Sequence, residues 1–295
     1  MNYRHHFHAG NFADVWKHVL LRATVQALQR KEKGFLYLDT HAGRGTYNLE
    51  QAARGTTLER RPEWPEGIGR VETQAGDDAP ALVQDYVAAV RQFAAERSPI
   101  PTEDEQSAAR LYPGSPWLVK MMLRPQDRAM LFERQPEEGE ALRQEFSTTR
   151  RARVEIADGY QAVRACLPPP ERRALVLIDP PYEAADEFER VAEALSDGLR
   201  RLPGGTFLVW YPLSARAPIG ALFEACRGLA LPPTWLAEYR LFDNANGPGM
   251  HGCGVLVLNP PWRLDQETQP ALQWLARTLA QSPESRVETR WVVPE

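Results

Sequence analysis

Ala174-Leu175-Val176-Leu177-Ile178-Asp179-Pro180-Pro181-Tyr182 is the stretch that decides how this chain is read. Its first half is an unbroken apolar run rich in branched side chains, the pattern of a strand buried on both faces of a parallel sheet. Pro180 and Pro181 cannot extend that strand, so the backbone must leave it in a rigid loop at the carboxyl end. In open α/β sheets that edge is where ligands bind. An acid, a carbonyl fixed by proline and an aromatic ring suit a planar amine. Asp179 and the Pro180 carbonyl can each accept one N–H, and the Tyr182 ring can stack on the heterocycle. The same four residues also serve as a plain strand-terminating turn, so the flanking chain has to discriminate.

Upstream, other strands end in the same way. Phe35 to Asp39 reads as a first strand, Arg128 to Glu133 as a second and Arg153 to Ile156 as a third, the last followed by Asp158-Gly159. Glu133, Asp158 and Asp179 follow one another at the interval a β-α repeat needs. Packing does not explain acids at successive strand ends, because an unpartnered buried carboxylate costs several kcal/mol. A ligand carrying hydroxyls and amines does. Asp39 runs into Thr40-His41-Ala42-Gly43-Arg44-Gly45, glycines that let backbone approach a ligand closely. Asn48 stands where a dinucleotide fingerprint has its third glycine, which counts against NAD or FAD. Asp39 with Gly43 and Gly45 instead resembles the first motif of S-adenosylmethionine-dependent methyltransferases. In that reading Glu133 accepts the ribose hydroxyls, Asp158 accepts from the adenine amine and Gly159 keeps the adjoining backbone clear.

At the N-terminus, Asn11 is a cap for a helix running to about Lys33, with Val15, Val19 and Ala27 on the side that packs. Arg4, His5, His6, His8, Lys17, His18 and Arg22 make this region basic, with Lys17 expected at the surface beside a half-buried His18. No cysteine or carboxylate accompanies the histidines at metal spacing, so no metal is expected. Residues 50–112 break the α/β rhythm. They are rich in Arg, Glu, Pro and Gln, and carry one clear helix, about Pro80 to Glu96. The stretch reads as a mainly helical insertion that must lean on the main domain or on substrate. The methyltransferase domain is then 1–49 with 113–295, and Tyr112 to Pro116 opens its next helix, reaching about Leu123.

Beyond Tyr182 the pattern is a helix from Ala184 to Arg201, the strand Thr206 to Tyr211, a helix near Ala217 to Arg227, and two strands joined by a turn at 243–249. A helix from Gln266 to Leu279 and a strand from Glu288 to Val292 close the chain. The second of the paired strands leads to Asn259-Pro260-Pro261-Trp262, a rival amine-binding tetrapeptide. If those strands form a hairpin, Asn259 leaves at the opposite edge of the sheet from Asp179. The fold class is therefore α/β: a Rossmann-like, doubly wound sheet with a C-terminal antiparallel hairpin and a small helical insertion, which resembles a class I methyltransferase.

A chain of 295 residues with 43% hydrophobic and 25% charged content is long and apolar enough for a large soluble core. No apolar run approaches the ~20 residues of a membrane helix, and no signal peptide opens it. Cys166, Cys226 and Cys253 have neither pairing nor metal spacing, which suits a reducing cytoplasm. The net charge of −4 argues against a protein that coats nucleic acid indiscriminately, though it leaves room for a local basic patch.

Tyr3 to His18 resembles the opening of the RlmJ family, bacterial methyltransferases that place one methyl on an adenine N6 of 23S ribosomal RNA. Phe35 to Tyr47, Tyr112 to Pro116, Ala152 to Gly159, Leu177 to Tyr182 and Trp291 to Glu295 match as well, so the resemblance spans nearly the whole chain. It implies that His18, His41, Gly43, Ser115, Glu133, Asp158, Gly159 and Asp179 line the S-adenosylmethionine site, without a metal. Asp179, Pro180 and Tyr182 become the catalytic group, and Tyr3, Arg4 and Lys17 belong to the N-terminal segment that meets RNA or closes over the site. The partner implied is protein-free or early-assembling 23S rRNA, and the enzyme is expected to be a cytoplasmic monomer. Two alternatives remain: a DNA adenine-N6 methyltransferase, disfavoured by the lack of a large target-recognition domain, and a non-catalytic RNA-binding protein on the same fold.

Overall fold

The computed structural model describes residues 8–50, 62–97, 110–214, 219–242 and 249–295. Helix α1 (Phe12–Gln29) starts where Asn11 accepts hydrogen bonds from Ala13 N and Asp14 N at 3.0 and 2.9 Å, satisfying donors that the first helical turn leaves over. It stops before the expected Lys33. Arg124 and Arg173 donate to the carbonyls of Leu28, Gln29, Lys31 and Lys33, so the chain can leave the helix without stranding acceptors.

Strand β1 (Leu36–Asp39) is followed by β2 (Thr46–Asn48), a 3-10 turn at Trp64–Glu66, helices α2 (Ile68–Gln74) and α3 (Ala81–Arg97), and β3 (Leu111–Pro113). Then come α4 (Ser115–Lys120), β4 (Arg128–Glu133), α5 (Pro136–Glu145), β5 (Ala152–Ile156), α6 (Gly159–Cys166) and β6 (Ala174–Ile178). The chain closes with α7 (Glu187–Arg201), β7 (Thr206–Ser214), α8 (Ile219–Ala225), β8 (Thr234–Arg240), β9 (Met250–Leu258), α9 (Leu264–Thr278) and β10 (Arg286–Val293).

The main sheet has the order β10-β8-β9-β7-β6-β1-β4-β5. Strands β7, β6, β1, β4 and β5 are parallel; β9 runs antiparallel to both β7 and β8, and β10 antiparallel to β8. The apolar run before Asp179 is buried on both faces, as expected: Leu175 and Leu177 pack with α1, α3 and α9, whereas Val176 and Ile178 pack with α6 and α7. The turn expected at 243–249 falls outside the described residues except for its last residue, Gly249, but the antiparallel pairing of Arg240 with Gly252 makes the hairpin plain.

Of residues 50–112, expected to form a mainly helical insertion, the described part carries the 3-10 turn, α2 and α3. The stretch is also closed at its base by a short ribbon, in which Thr46, Tyr47 and Asn48 pair with Pro113, Tyr112 and Leu111. Strands of three residues are too short to show alternation, so Tyr112-Pro113 was assigned to the start of a helix that begins only at Ser115. Val83, Tyr86, Val87, Val90 and Phe93 of α3 belong to the same apolar cluster as Val15 and Val19 of α1, so this stretch shares the core of the main sheet. Among the described residues no helix is long and apolar enough to cross a membrane.

Candidate active site

The strand order β6-β1-β4-β5 sets four acids side by side along one sheet edge: Asp179, Asp39, Glu133 and, two residues past its strand, Asp158. Asp179 is held from α1. Lys17 Nζ lies 2.5 Å from Asp179 Oδ2 and 2.9 Å from Asp14 Oδ1, and Asp14 Oδ2 in turn accepts from Gly10 N at 3.0 Å. Burial alone would lower the Lys17 pKa, but the two carboxylates outweigh it and hold the ammonium well above the ordinary lysine value. Of the two places the sequence allows Lys17, out at the surface toward RNA or closed over the site, the structure has the second. Lys17 is 5% exposed, so its ammonium serves the carboxylates and not an external phosphate. Tyr3 and Arg4 lie outside the described residues.

Asp39 sits beneath this pair as a hub. Its Oδ2 accepts from Tyr37 Oη at 2.6 Å and Ser115 Oγ at 2.7 Å, and its Oδ1 from His41 N at 3.3 Å. Burial raises its pKa to about 6, against the hydrogen bonds from Tyr37 and Ser115. Glu133 accepts from Gly43 N at 2.9 Å and Gln135 N at 2.7 Å, and burial raises its pKa too. Gly43 has φ of +60°, and a Cβ there would come within 2.3 Å of the Tyr47 hydroxyl.

His41 Nδ1 is 2.8 Å from Thr40 Oγ1, and its ring meets Tyr160 edge-on with centroids 4.9 Å apart. Burial lowers its pKa to about 3, leaving a neutral imidazole. Asp158 caps α6 through Tyr160 N at 2.9 Å, and its other oxygen accepts from Arg190 at 2.8 Å. Gly159 is expected to keep the adjoining backbone clear. A Cβ at that position would stand 1.8 Å from the Thr40 carbonyl oxygen, so the glycine is needed for backbone to pass backbone. His18, expected half-buried, is 1% exposed, and its Nδ1 lies 2.8 Å from Tyr112 Oη, which is itself 2.8 Å from Tyr86 Oη.

Tyr182 takes φ of +50°, a conformation rarely adopted by a residue with a side chain. Its hydroxyl donates to the Trp210 carbonyl at 2.6 Å, and its ring leans on Phe188 with centroids 4.9 Å apart. The loop thus fixes the aromatic plane next to Asp179. Asn259 plays a different part. Leu258 pairs with Phe207 at the start of β7, and Asn259 Nδ2 donates to the Pro203 and Gly205 carbonyls, both at 2.8 Å. It clamps a turn at the opposite edge, away from the acids.

Asp14, Tyr37, Tyr160 and Arg190 contribute to this site and were not singled out from sequence. Asp14 was findable, since an acid three residues before Lys17 shares its helical face. Tyr37 lies two residues before Asp39 and so on the same strand face. Tyr160 and Arg190 carry no sequence signal of this kind. Among the described residues no group of three or more His, Cys, Asp or Glu side chains is placed to hold a metal ion.

The parallel sheet, the antiparallel hairpin and the row of strand-end acids define a class I S-adenosylmethionine-dependent methyltransferase. Residues 32–293 match the family model described as "RsmJ: Ribosomal RNA large subunit methyltransferase D, RlmJ". Over their full lengths, the chain is 38% identical to Ribosomal RNA large subunit methyltransferase J of Escherichia coli (strain K12) and 36% identical to the protein of that name from Haemophilus influenzae. A crystal structure of a Legionella pneumophila protein aligns with a TM-score of 0.82 at 31% identity, covering 96% of this chain and 98% of that one. The chain belongs to the RlmJ family.

Proposed function

We propose that this chain transfers a methyl group from S-adenosylmethionine to the exocyclic N6 of a specific adenine in 23S ribosomal RNA. One observation carries the reading: an acid and a proline carbonyl at the exit of β6, with Lys17 locked onto one carboxylate oxygen. The residues present fit the methyl donor. Glu133 keeps unused lone pairs for a ribose diol beside the bare Gly43, and the neighbouring His41 ring, braced edge-on by Tyr160, and the Asp158 carboxylate offer a flat base a surface and an acceptor. When bound, S-adenosylmethionine supplies an electrophilic methyl on a sulfonium.

An adenine amine is a poor nucleophile, because its lone pair is delocalised into the ring. Asp179 Oδ1 and the Pro180 carbonyl are suited to accept its two N–H groups, which favours a pyramidal nitrogen and frees the lone pair. Lys17 fixes the Asp179 rotamer by occupying Oδ2. Once the methyl has moved, the nitrogen is cationic and strongly acidic, and Asp179 takes its proton and yields it to water. Tyr182 stacks on the extruded base.

Flipping an adenine out requires an accessible strand, which favours protein-free 23S rRNA or an early assembly intermediate in the cytoplasm. Every group named here comes from one chain, so a monomer suffices. The test is tritiated methyl transfer to rRNA lacking the modification, alongside duplex DNA, followed by mapping of the labelled nucleoside. A single N6-methyladenosine in 23S rRNA is the expected product. Label in DNA instead, or no label in either, would overturn the reading.

A further inference from the structure

Arg190 lies on α7, the helix that follows the Asp179 loop. Its Nη2 donates to Asp158 Oδ2 at 2.8 Å, its Cζ sits 4.4 Å above the centre of the Tyr160 ring, and its Nη1 is 3.7 Å from Glu187 Oε1. Tyr160 Oη donates to the same Glu187 oxygen at 2.7 Å. An acid, a ring and a second acid thus fix the guanidinium plane, in the way an arginine fork is suited to do. The fold itself asks little of the contact with Asp158, whose side chain already caps α6 through Oδ1. Nor is it deeply buried: the Arg190 and Asp158 side chains are 27% and 21% exposed. What the contact does is fix Oδ2, the oxygen that the cap leaves free to turn.

We propose that Arg190 is a positioning residue for the methyl donor: it orients Asp158 so that a remaining lone pair accepts the exocyclic amine of the donor's adenine. The inference rests on the proposed placement of that adenine against His41 and Asp158. A carboxylate has about four lone-pair sites. The cap and Arg190 occupy some of them, and the rest now point in a set direction. An amine is welcome there, whereas a carbonyl in its place faces lone pair against lone pair, the kind of mismatch that binding sites reject strongly. The arrangement also ties the adenine slot to the start of α7, and so to the loop that presents Asp179 and Tyr182.

The test is calorimetric binding of two product analogues, S-adenosylhomocysteine and S-inosylhomocysteine, which differ in whether an amine or a carbonyl sits at ring position 6. Wild-type protein should prefer the adenosyl compound by at least about tenfold, the worth of a hydrogen bond to a charged group. Asp158→Asn, which retains a capping oxygen, should abolish the preference, and Arg190→Ala should reduce it to below about threefold. The ratio is taken within one protein preparation, so a partly inactive variant does not distort it, and a merely structural role would weaken both ligands alike. If Asp158→Asn loses the preference and Arg190→Ala keeps it, the positioning role is wrong while the adenine site stands. If Arg190→Ala strengthens the preference, the arginine reads the base directly, and the proposal fails. If Asp158→Asn keeps the wild-type preference, the adenine placement fails and the inference with it.

Discussion

Removing the Lys17 ammonium would leave Asp14 and Asp179 facing one another where the side chains are only 4% and 15% exposed. Breaking a buried ion pair from one side typically costs 3–5 kcal/mol. Lys17→Met should therefore lower the urea unfolding free energy by about 3 kcal/mol, and adding Asp14→Asn should recover part of it, because the two sites share a partner. A loss under about 1 kcal/mol would show that water compensates the acids freely. Asp39 makes a second prediction. Burial raises its pKa from 3.8 to about 6, so the native chain binds this proton at higher pH than the unfolded chain does. Stability attributable to Asp39 is then greatest at low pH and falls as the pH climbs from about 4 through 6. The stability of the wild type relative to Asp39→Asn should drop by on the order of 2–3 kcal/mol across that window, and a flat difference would refute the raised pKa. The acids themselves were legible in the sequence, because strand ends and carboxylates are both local features. Lys17's true partner was not, since Asp179 is joined to it only by the packing of α1 on the sheet.

At the level of elements, the tightest constraint is the passage of α6 under the loop after β1. Gly159→Ala would drive a methyl to 1.8 Å from the Thr40 carbonyl oxygen, and neither backbone has room to yield. A loss of at least about 2 kcal/mol in thermal unfolding is expected. Gly204→Ala is the control: nothing lies within 4 Å of the added methyl, so its unfolding free energy should stay within about 0.5 kcal/mol of wild type. Equal effects at the two glycines would contradict the packing described. Long elements announced themselves, the β6 run by burial on both faces and α3 by its apolar period. The β2–β3 ribbon did not, because its pairing joins residues far apart in the chain and each strand is three residues long. The end of α1 was misjudged for a related reason: the arginines that satisfy its last carbonyls come from 124 and 173.

For the molecule as a whole, the net charge of −4 has to be reconciled with an RNA substrate. Three cations at the site are engaged: Lys17 with Asp179, Arg44 with Glu138 and Arg190 with Asp158. Cations held in such pairs add little to phosphate neutralisation, so the plot of log affinity for rRNA against log salt should be no steeper than about −4. A slope near −8 would reveal a long cationic track instead. Recognition on this account comes from shape and from the extruded base more than from accumulated charge. Its centre is the claim that Asp179 and the Pro180 carbonyl hold an adenine amine in line with the methyl donor. The most direct measurement is a crystal structure of the chain with a bisubstrate compound that links adenosine N6 to the donor's amino-acid arm. N6 is expected within about 3 Å of both Asp179 and the Pro180 carbonyl, with Lys17 still on Asp179. Finding that nitrogen elsewhere, beside Trp262 for instance, with Asp179 touching nothing of the ligand, would contradict it.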